Sequence, residues 1–369
     1  MKPRLHLLAA VMIVVSIGAA PAEQADTAIG HTAASRCTAA AQAMLAALTP
    51  EVEPAVAQPF DEKLRRTWSY VPNIPQLVQR EEGAPLEALN PAQRIAAHRL
   101  MECGLSSQGY QKINAIMRLD DPTTGGAARP TGEAAARRPV DSTLYWLAVF
   151  GDPAGGTPWG WQLEGHHLAL NFTVVDGELS VTPMFLGADP AHVSSGPYAG
   201  WRVLGQEVDK AFAFLDALTP AQRKQAILAD EIPARFFTQP GRADALKTYA
   251  GLPGSALSEA QRRLLWRFIE EYVLNADHEL AAQHLQQIDD DGLDRVYFAW
   301  MGPTTPGSAI YYRIHGPSIL IEFIHARNRR SAAGAHDPNH VHTVLRFPGN
   351  DFGTDWLARH YATSPDHRE

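Results

Sequence analysis

The dipeptide Asp176-Gly177 stands between two β-prone segments and constrains the fold more than any other local feature of this chain. Asp-Gly favours the type I′ turn of a two-residue β-hairpin, because both central residues adopt positive φ. The sequence therefore predicts antiparallel strands over residues 166–175 and 178–186. Counting back from the turn places His167 opposite Leu186.

Further β-prone runs indicate that this hairpin is part of a larger sheet. The other predicted strands cover residues 143–150, 295–301, 309–315, 318–325 and 340–347. Short turns between successive strands favour antiparallel pairing. Helical patterns precede the strands and lie between them. The prediction is an α+β fold, with a mainly antiparallel sheet and helices grouped before and between the strands.

Three helix starts share one local pattern. In each, a capping residue follows a leucine and a glutamine follows three residues later, as in a capping box. The three segments are Asn90-Pro91-Ala92-Gln93, Thr219-Pro220-Ala221-Gln222 and Ser258-Glu259-Ala260-Gln261. Their spacings are unequal, so we interpret the recurrence as shared helix-start chemistry and not as a solenoid repeat.

The first residues have the three parts of a secretory signal. Lys2 and Arg4 precede an apolar run over residues 5–17, and a small-residue cleavage site ends at Ala22. The apolar run is shorter than the roughly 20 residues that span a bilayer as a helix. We predict a cleaved signal peptide over residues 1–22 and export to the periplasm or beyond, without membrane attachment afterwards. An uncleaved anchor is the alternative.

The remainder of the chain has the composition of a globular protein. Hydrophobic residues make up 45% of the sequence, so disorder is not expected. We predict a mobile lead-in over residues 23–36 and a single α+β domain over residues 37–369, with a flexible insertion at 121–141. The formal net charge of −8 offers no basic face for nucleic acid, so nucleic-acid binding is not expected.

The chain has two cysteines, Cys37 and Cys103. An oxidising compartment outside the cytoplasm would let them form a disulfide. Two buried free thiols are the alternative, because sequence does not give the distance between them.

Histidines in the last strands indicate a metal site. His340 and His342 alternate along a predicted strand, so their side chains point to the same face. Glu322 in a neighbouring strand is the candidate third ligand, because two histidines and a carboxylate recur in iron and zinc sites. We predict that His340, His342 and Glu322 bind a divalent transition metal: zinc, iron or copper. The alternative is that these histidines form local hydrogen bonds or line a polar groove.

Glu164, His166 and His167 are candidate catalytic residues. If they lie on one strand, Glu164 and His166 share a face and His167 points to the other. We expect at least one of the two histidines to lie in the same cleft as His342. Burial of one histidine in the core, with the other facing solvent, is the alternative.

Several segments resemble a secreted family known as domain of unknown function 3500. They are residues 161–171, 182–191, 196–200, 311–317, 321–322, 339–344, 350–353 and 355. The resemblance covers nearly the whole mature chain in order, and it implies a single domain and an exported location. Arg313, within one of these segments, joins Glu164, His166 and His167 as a candidate catalytic residue.

These patterns favour an exported protein with a histidine-rich cleft, most simply a metal-dependent hydrolase that activates water. Oxidative chemistry with iron or copper remains open. A non-enzymatic periplasmic protein that binds a ligand or a metal is the second hypothesis, and a structural or interaction domain is the third. The expected partner is an unidentified small molecule or polymer outside the cytoplasm.

Overall fold

The computed structural model describes residues 32–72, 82–121, 124, 140–327 and 334–363. The predicted signal peptide (1–22), residues 23–31 of the predicted lead-in and most of the predicted insertion at 121–141 lie outside the described residues. Among the described residues, no helix combines the length and the hydropathy that crossing a membrane requires.

The described residues form ten α-helices and thirteen strands. The helices are α1 (Ala33–Ala46), α2 (Glu53–Val56), α3 (Glu62–Arg66), α4 (Pro91–Cys103), α5 (Ser107–Leu119), α6 (Gly205–Asp216), α7 (Pro220–Ala226), α8 (Glu259–Val273), α9 (His278–Asp291) and α10 (Thr354–Thr363). The strands are β1 (Ala57–Gln58), β2 (Ala84–Pro85), β3 (Tyr145–Phe150), β4 (Trp159–Gly165), β5 (Leu168–Val175), β6 (Glu178–Ser180), β7 (Met184–Ala188), β8 (Ile227–Ala229), β9 (Leu252–Pro253), β10 (Tyr297–Met301), β11 (Tyr311–His315), β12 (Leu320–Arg327) and β13 (His336–Arg346).

Helix α1 begins at Ala33, so the last four residues of the predicted mobile lead-in, 33–36, are helical. Thr32 caps the helix, accepting a hydrogen bond from the N–H of Ser35. The N–H of Ala33 donates to Glu279 Oε2 at 2.7 Å, which ties the helix start to α9. Arg36 also pairs with Asp277, and Ala33 and Ala34 are buried, so a cap, long-range contacts and burial together hold this end of the helix.

All thirteen strands belong to one sheet, which is antiparallel except where β1 pairs with β3 and β8 pairs with β10. The main path has the order β1-β3-β4-β5-β7-β13-β12-β11-β10-β8, with β2, β6 and β9 added at its sides. The sheet and the ten helices confirm the predicted α+β class.

Two details of the predicted sheet were wrong. Strand β4 was not predicted, and His166 and His167 form a two-residue turn between β4 and β5 instead of starting a strand. The Asp176-Gly177 turn has positive φ at both residues, as a type I′ turn requires. However, Leu168 and not His167 faces Leu186, because residues 181–183 interrupt the partner strand and shift its register by one.

The second half of the chain repeats the pairing scheme of the first. In the first half β1 and β2 flank β3, and in the second half β8 and β9 flank β10 in the same way. Of the remaining strands on the main path, β4 corresponds to β11, β5 to β12 and β7 to β13. The two halves meet at the centre of the sheet, where Met184 pairs with Leu345. The sheet thus has an approximate two-fold symmetry.

The helices follow the same symmetry. Capping boxes start both α4 and α8, at Asn90 and Ser258, so the recurrence noted in the sequence also marks this internal repeat. Where the α4–α5 and α8–α9 connections meet, the N–H of Ser106 donates to the carbonyl of Asn275 at 3.1 Å. The N–H of Asp277 donates to the carbonyl of Gly104 at 3.0 Å. These two hydrogen bonds are equivalent under the two-fold.

The two faces of the sheet differ in what covers them. On one face, side chains such as Leu163, Ile314 and Phe323 join a large apolar core with α1, α4, α5, α6, α8 and α9. On the other, Phe185 and Tyr311 pack with Trp68, Phe236 and Phe352 from short connecting segments. This second face also carries buried polar side chains such as Gln162, Glu164 and Glu322, and the candidate site lies on it.

Cys37 of α1 and Cys103 of α4 form a disulfide, with their Cα atoms 5.0 Å apart. Of the two alternatives that the sequence left open, the bridge is the one present. It joins the first described helix to the helical layer behind the sheet.

Candidate metal centre

His167 occupies the second position of the turn between β4 and β5, with φ of 63°. Two backbone hydrogen bonds hold it there: its N–H donates to the carbonyl of Tyr70 at 2.9 Å, and its carbonyl accepts from the N–H of Gly187 at 2.7 Å. A Cβ at Gly187 would lie 2.9 Å from His167 Cδ2 and 2.9 Å from the carbonyl oxygen of Val341. The glycine therefore lets the imidazole of His167 lie close to β13.

His340 and His342 lie on β13 and point to the same face of the sheet, as their alternation predicts. His342 is opposite Ile324 on one side and Gly187 on the other. Because the carbonyl of His167 bonds to the N–H of Gly187, the turn and β13 approach each other across β7. The three histidines thus come from two distant parts of the sequence.

The Nε2 atoms of the three histidines converge. His340 Nε2 is 2.9 Å from His167 Nε2 and 3.1 Å from His342 Nε2, and one ring nitrogen from each of the three histidines lies within 4.8 Å of the other two. Ligands about 2.0–2.1 Å from a tetrahedral zinc ion are separated by about 3.3 Å. The observed spacings are close to that value, so the triad has the dimensions of a metal site.

Hydrogen bonds alone do not satisfy this arrangement. A ring nitrogen of a neutral histidine has either one proton or one lone pair. Nε2 of His340 therefore makes one good hydrogen bond, yet it faces two other ring nitrogens. A cation between the three atoms would satisfy all three lone pairs at once.

The electrostatic surroundings keep at least two of the imidazoles in the form that binds metals. Burial, followed by the neighbouring histidines, lowers the pKa of His167 well below its ordinary value. Burial also lowers the pKa of His340, although Asp189 and Asp337 oppose this effect. Neutral imidazoles with available lone pairs are what a divalent transition metal requires.

His166 lies beside the triad and is not part of it. Its ring centroid is 3.8 Å from that of His167, and its Nδ1 is 2.8 Å from Asp120 Oδ1. Asp120 is buried, and its other oxygen accepts a hydrogen bond from the hydroxyl of Tyr145 at 2.7 Å. This arrangement fixes the orientation of the His166 ring.

Aromatic rings cover the opposite side of the triad. The ring of Tyr70 is 5.1 Å from the ring of His342 and stacks on Phe185 at 4.1 Å. Phe185 is itself 5.3 Å from His342, and Phe236 packs behind it. The triad thus lies between an apolar wall and the polar pair of Asp120 and His166.

The structure does not bring Glu322, the predicted third ligand, into the triad. One carboxylate oxygen accepts from the N–H of Phe237 at 2.7 Å and the hydroxyl of Tyr311 at 2.8 Å. The other accepts from the N–H of Thr238 at 2.8 Å and from the hydroxyl of the same threonine at 2.5 Å. Both oxygens are fully engaged in anchoring a connecting segment, and His167 supplies the third nitrogen instead.

The structure does not bring Glu164 or Arg313 into the triad either. Glu164 Oε1 accepts from the N–H of Ser69 at 3.1 Å. Arg313 lies on β11, two strands away from β13, opposite Glu322. Both side chains are buried on the polar face of the sheet, and the contact of Glu164 stabilises the connecting segment around Ser69.

Sequence reasoning missed the ligand position of His167 and the role of Asp120. A turn after Gly165 was the available signal for His167, since it removes the doublet from the strand. Asp120 lies at the end of α5, 46 residues before His166, and no local pattern relates the two.

The fold and the triad together define an α+β protein with a histidine-lined candidate metal site. A family model described as "Protein of unknown function (DUF3500)" matches residues 31–354, and the chain belongs to this family. No curated protein and no solved structure matched the chain.

Proposed function

We propose that this chain is an exported protein that binds one divalent transition-metal ion through His167, His340 and His342 and uses it as an enzyme outside the cytoplasm. The convergence of the three Nε2 atoms, with separations of 2.9 and 3.1 Å, is the observation that supports the proposal. Zinc, iron and copper all accept imidazole ligands.

Three protein ligands with one open position are typical of catalytic zinc sites. A bound ion would supply a Lewis acid and would lower the pKa of a coordinated water, which favours hydrolysis. Iron or copper would extend the chemistry to oxidation. Hydrolysis is the simpler reaction, because water is its only co-substrate.

The side chains around the triad have separate roles in this proposal. Asp120 holds Nδ1 of His166, so that Nε2 of the same ring is available to hydrogen-bond a substrate group. The side chain of His166 is 16% exposed, which allows such contact. Tyr70 and Phe185 exclude water from the other side, which strengthens electrostatic interactions in the site. The substrate is a small molecule or polymer outside the cytoplasm.

A non-enzymatic protein that stores or senses a metal, or binds another ligand in the periplasm, is the second candidate. One observation favours it: His167 is only 4% exposed, and two aromatic rings pack directly against His342. Such an enclosure suits a retained ion better than a reacting one.

Elemental analysis of the mature protein, purified from an exported fraction without chelator, tests the metal site. We expect about one equivalent of a transition metal, lost in His342→Gln and in His167→Gln. His192→Gln is the matched control, because His192 is exposed and does not belong to the triad, and it should retain the metal. Metal-free protein whose melting temperature is unmoved by zinc, copper or iron would contradict the proposal.

Cobalt substitution separates the two candidates. In an enzyme with an open coordination position, azide should change the visible absorption of the Co²⁺ protein. A spectrum unaffected by azide would indicate a closed site and favour the storage protein. N-terminal sequencing of the same exported material should begin at Glu23.

A further inference from the structure

A second polar site lies on the same face of the sheet, in a small cavity. The cavity lies beside α3 and β5, and its roughly 160 Å³ of empty space includes open solvent. Its walls are formed by Arg65, Phe150, Trp161, Gln162, Asn171, Phe172, Thr173 and Phe352. Arg65 is the charged residue in this lining, and no carboxylate is part of it.

Arg65 is a buried cation without an anionic partner. It is 4% exposed, and Nη1 donates to Thr173 Oγ1 at 3.1 Å. Nε has no hydrogen-bond partner, and among the described residues no carboxylate pairs with this guanidinium. Burial lowers the pKa of Arg65 to about 10, which still leaves the group charged at neutral pH.

Arg346 is a second buried arginine, and it has the anionic partner that Arg65 lacks. Arg346 is equally buried at 2% exposure, but its Nη1 donates to Asp351 Oδ2 at 2.6 Å. A buried charge is normally paired in this way, because desolvation without compensation is unfavourable by several kcal/mol. Asp61 and Glu62, the acids nearest to Arg65 along the chain, are exposed to solvent.

The other residues that line the cavity favour a bound anion over a bound cation. The backbone carbonyl of Arg65 and Oδ1 of Asn171 already accept hydrogen bonds from Gln162 Nε2. The acceptors of these two groups are thus already used, whereas Nε of Arg65 is an unused donor.

We infer that this cavity binds a small monovalent anion of the size of chloride, held by Arg65 beside Thr173. Only about 10 Å³ is open to the centre of a water-sized particle, which is about the space for one bound water, so phosphate, sulfate and organic carboxylates are too large. The anion would neutralise Arg65 and fix α3, which lies directly before Trp68 and Tyr70. The inference is independent of the metal site, because the cavity shares no residue with the triad.

Thermal unfolding at constant ionic strength tests the inference, with chloride replacing gluconate, an anion too large for the cavity. We expect the melting temperature to rise by about 2 °C for each tenfold increase in chloride above its dissociation constant. Bromide should act in the same way. Arg65→Gln should abolish the dependence, and Arg66→Gln, a change at an exposed neighbour, should retain it.

Two further measurements keep the test decisive if Arg65→Gln does not fold. Thr173→Val should weaken the chloride dependence, since it removes the oxygen that fixes the guanidinium. Crystals soaked in bromide should show an anomalous peak beside Arg65. Equal melting temperatures of the wild-type protein in chloride and gluconate, or a bromide-soaked cavity that contains only water, would overturn the inference.

Discussion

At the scale of single residues, Glu322 anchors the connecting segment around Phe237 and Thr238 to the sheet. Glu322→Gln places an NH₂ group opposite N–H and O–H donors, so we expect the free energy of unfolding to fall by about 2–4 kcal/mol. The metal content should be unchanged. Urea unfolding and elemental analysis measure the two effects, with exposed Glu231→Gln as the control. Loss of metal at full stability would instead show that Glu322 is a ligand.

His325 predicts a dependence of stability on pH. It is 2% exposed, and its Nδ1 accepts the N–H of Ile310 at 3.0 Å, which requires an unprotonated nitrogen. Burial lowers its pKa to about 4, whereas the unfolded chain has a histidine pKa of about 6.5. The unfolded state therefore takes up the proton first, and stability falls as the pH drops from about 6.5 to 4, by about 3 kcal/mol for this residue.

His325→Asn is the matched variant, because its amide oxygen accepts the same N–H and does not titrate. Denaturant unfolding at a series of pH values should show a shallower loss of stability in the variant. Part of the dependence of stability on pH should remain in the variant, since burial also lowers the pKa of His284 and His315 to about 4. Identical slopes for the variant and the wild-type protein would contradict this assignment.

Individual site residues differ in how far sequence could predict them. His340 and His342 were predictable, because alternation along a strand fixes which side chains share a face. The role of Glu322 was not, since the donors that occupy its oxygens come from a segment about 84 residues earlier. Proximity in the sheet indicated a ligand, and competition from backbone N–H groups decided otherwise.

At the scale of elements, the two-residue turn between β4 and β5 holds His167 in the left-handed region. His167→Gly and His167→Ala both remove the imidazole, but only alanine retains a Cβ in this conformation. We expect neither variant to bind metal, and the glycine variant to be more stable than the alanine variant by about 1 kcal/mol. Chemical unfolding of the two metal-free proteins gives the difference. An alanine variant as stable as the glycine variant would contradict the positive φ.

The strands were predicted unevenly, for a physical reason. Strands β3, β5, β10, β11, β12 and β13 contain β-branched or aromatic runs, and most of their positions were predictable. Strand β4 contains Gly160, Gln162 and Glu164, which weaken that signal, although all its residues are buried. The symmetric strand order was not apparent either, because insertions of different length separate the equivalent elements.

At the scale of the whole molecule, the disulfide between Cys37 and Cys103 closes a loop with a sequence separation of 66 residues. Chain entropy alone predicts about 4 kcal/mol of stabilisation for such a loop. We expect Cys37→Ala combined with Cys103→Ala to lower the free energy of unfolding by about 2–4 kcal/mol, and reductant to affect only the wild-type protein. Unchanged melting of the wild-type protein under reductant would indicate that the bridge contributes nothing to stability.

The triad takes its residues from both halves of the approximately two-fold symmetric sheet. His167 belongs to the first half of the chain and His340 and His342 to the second, with the β7–β13 junction between them. An ion held by all three residues would link the two halves of the sheet. It could not stay bound if β7 and β13 separated. Binding of the ion and pairing of β7 with β13 would then be coupled. Loss of the ion outside the cell would therefore weaken the contact between the two halves.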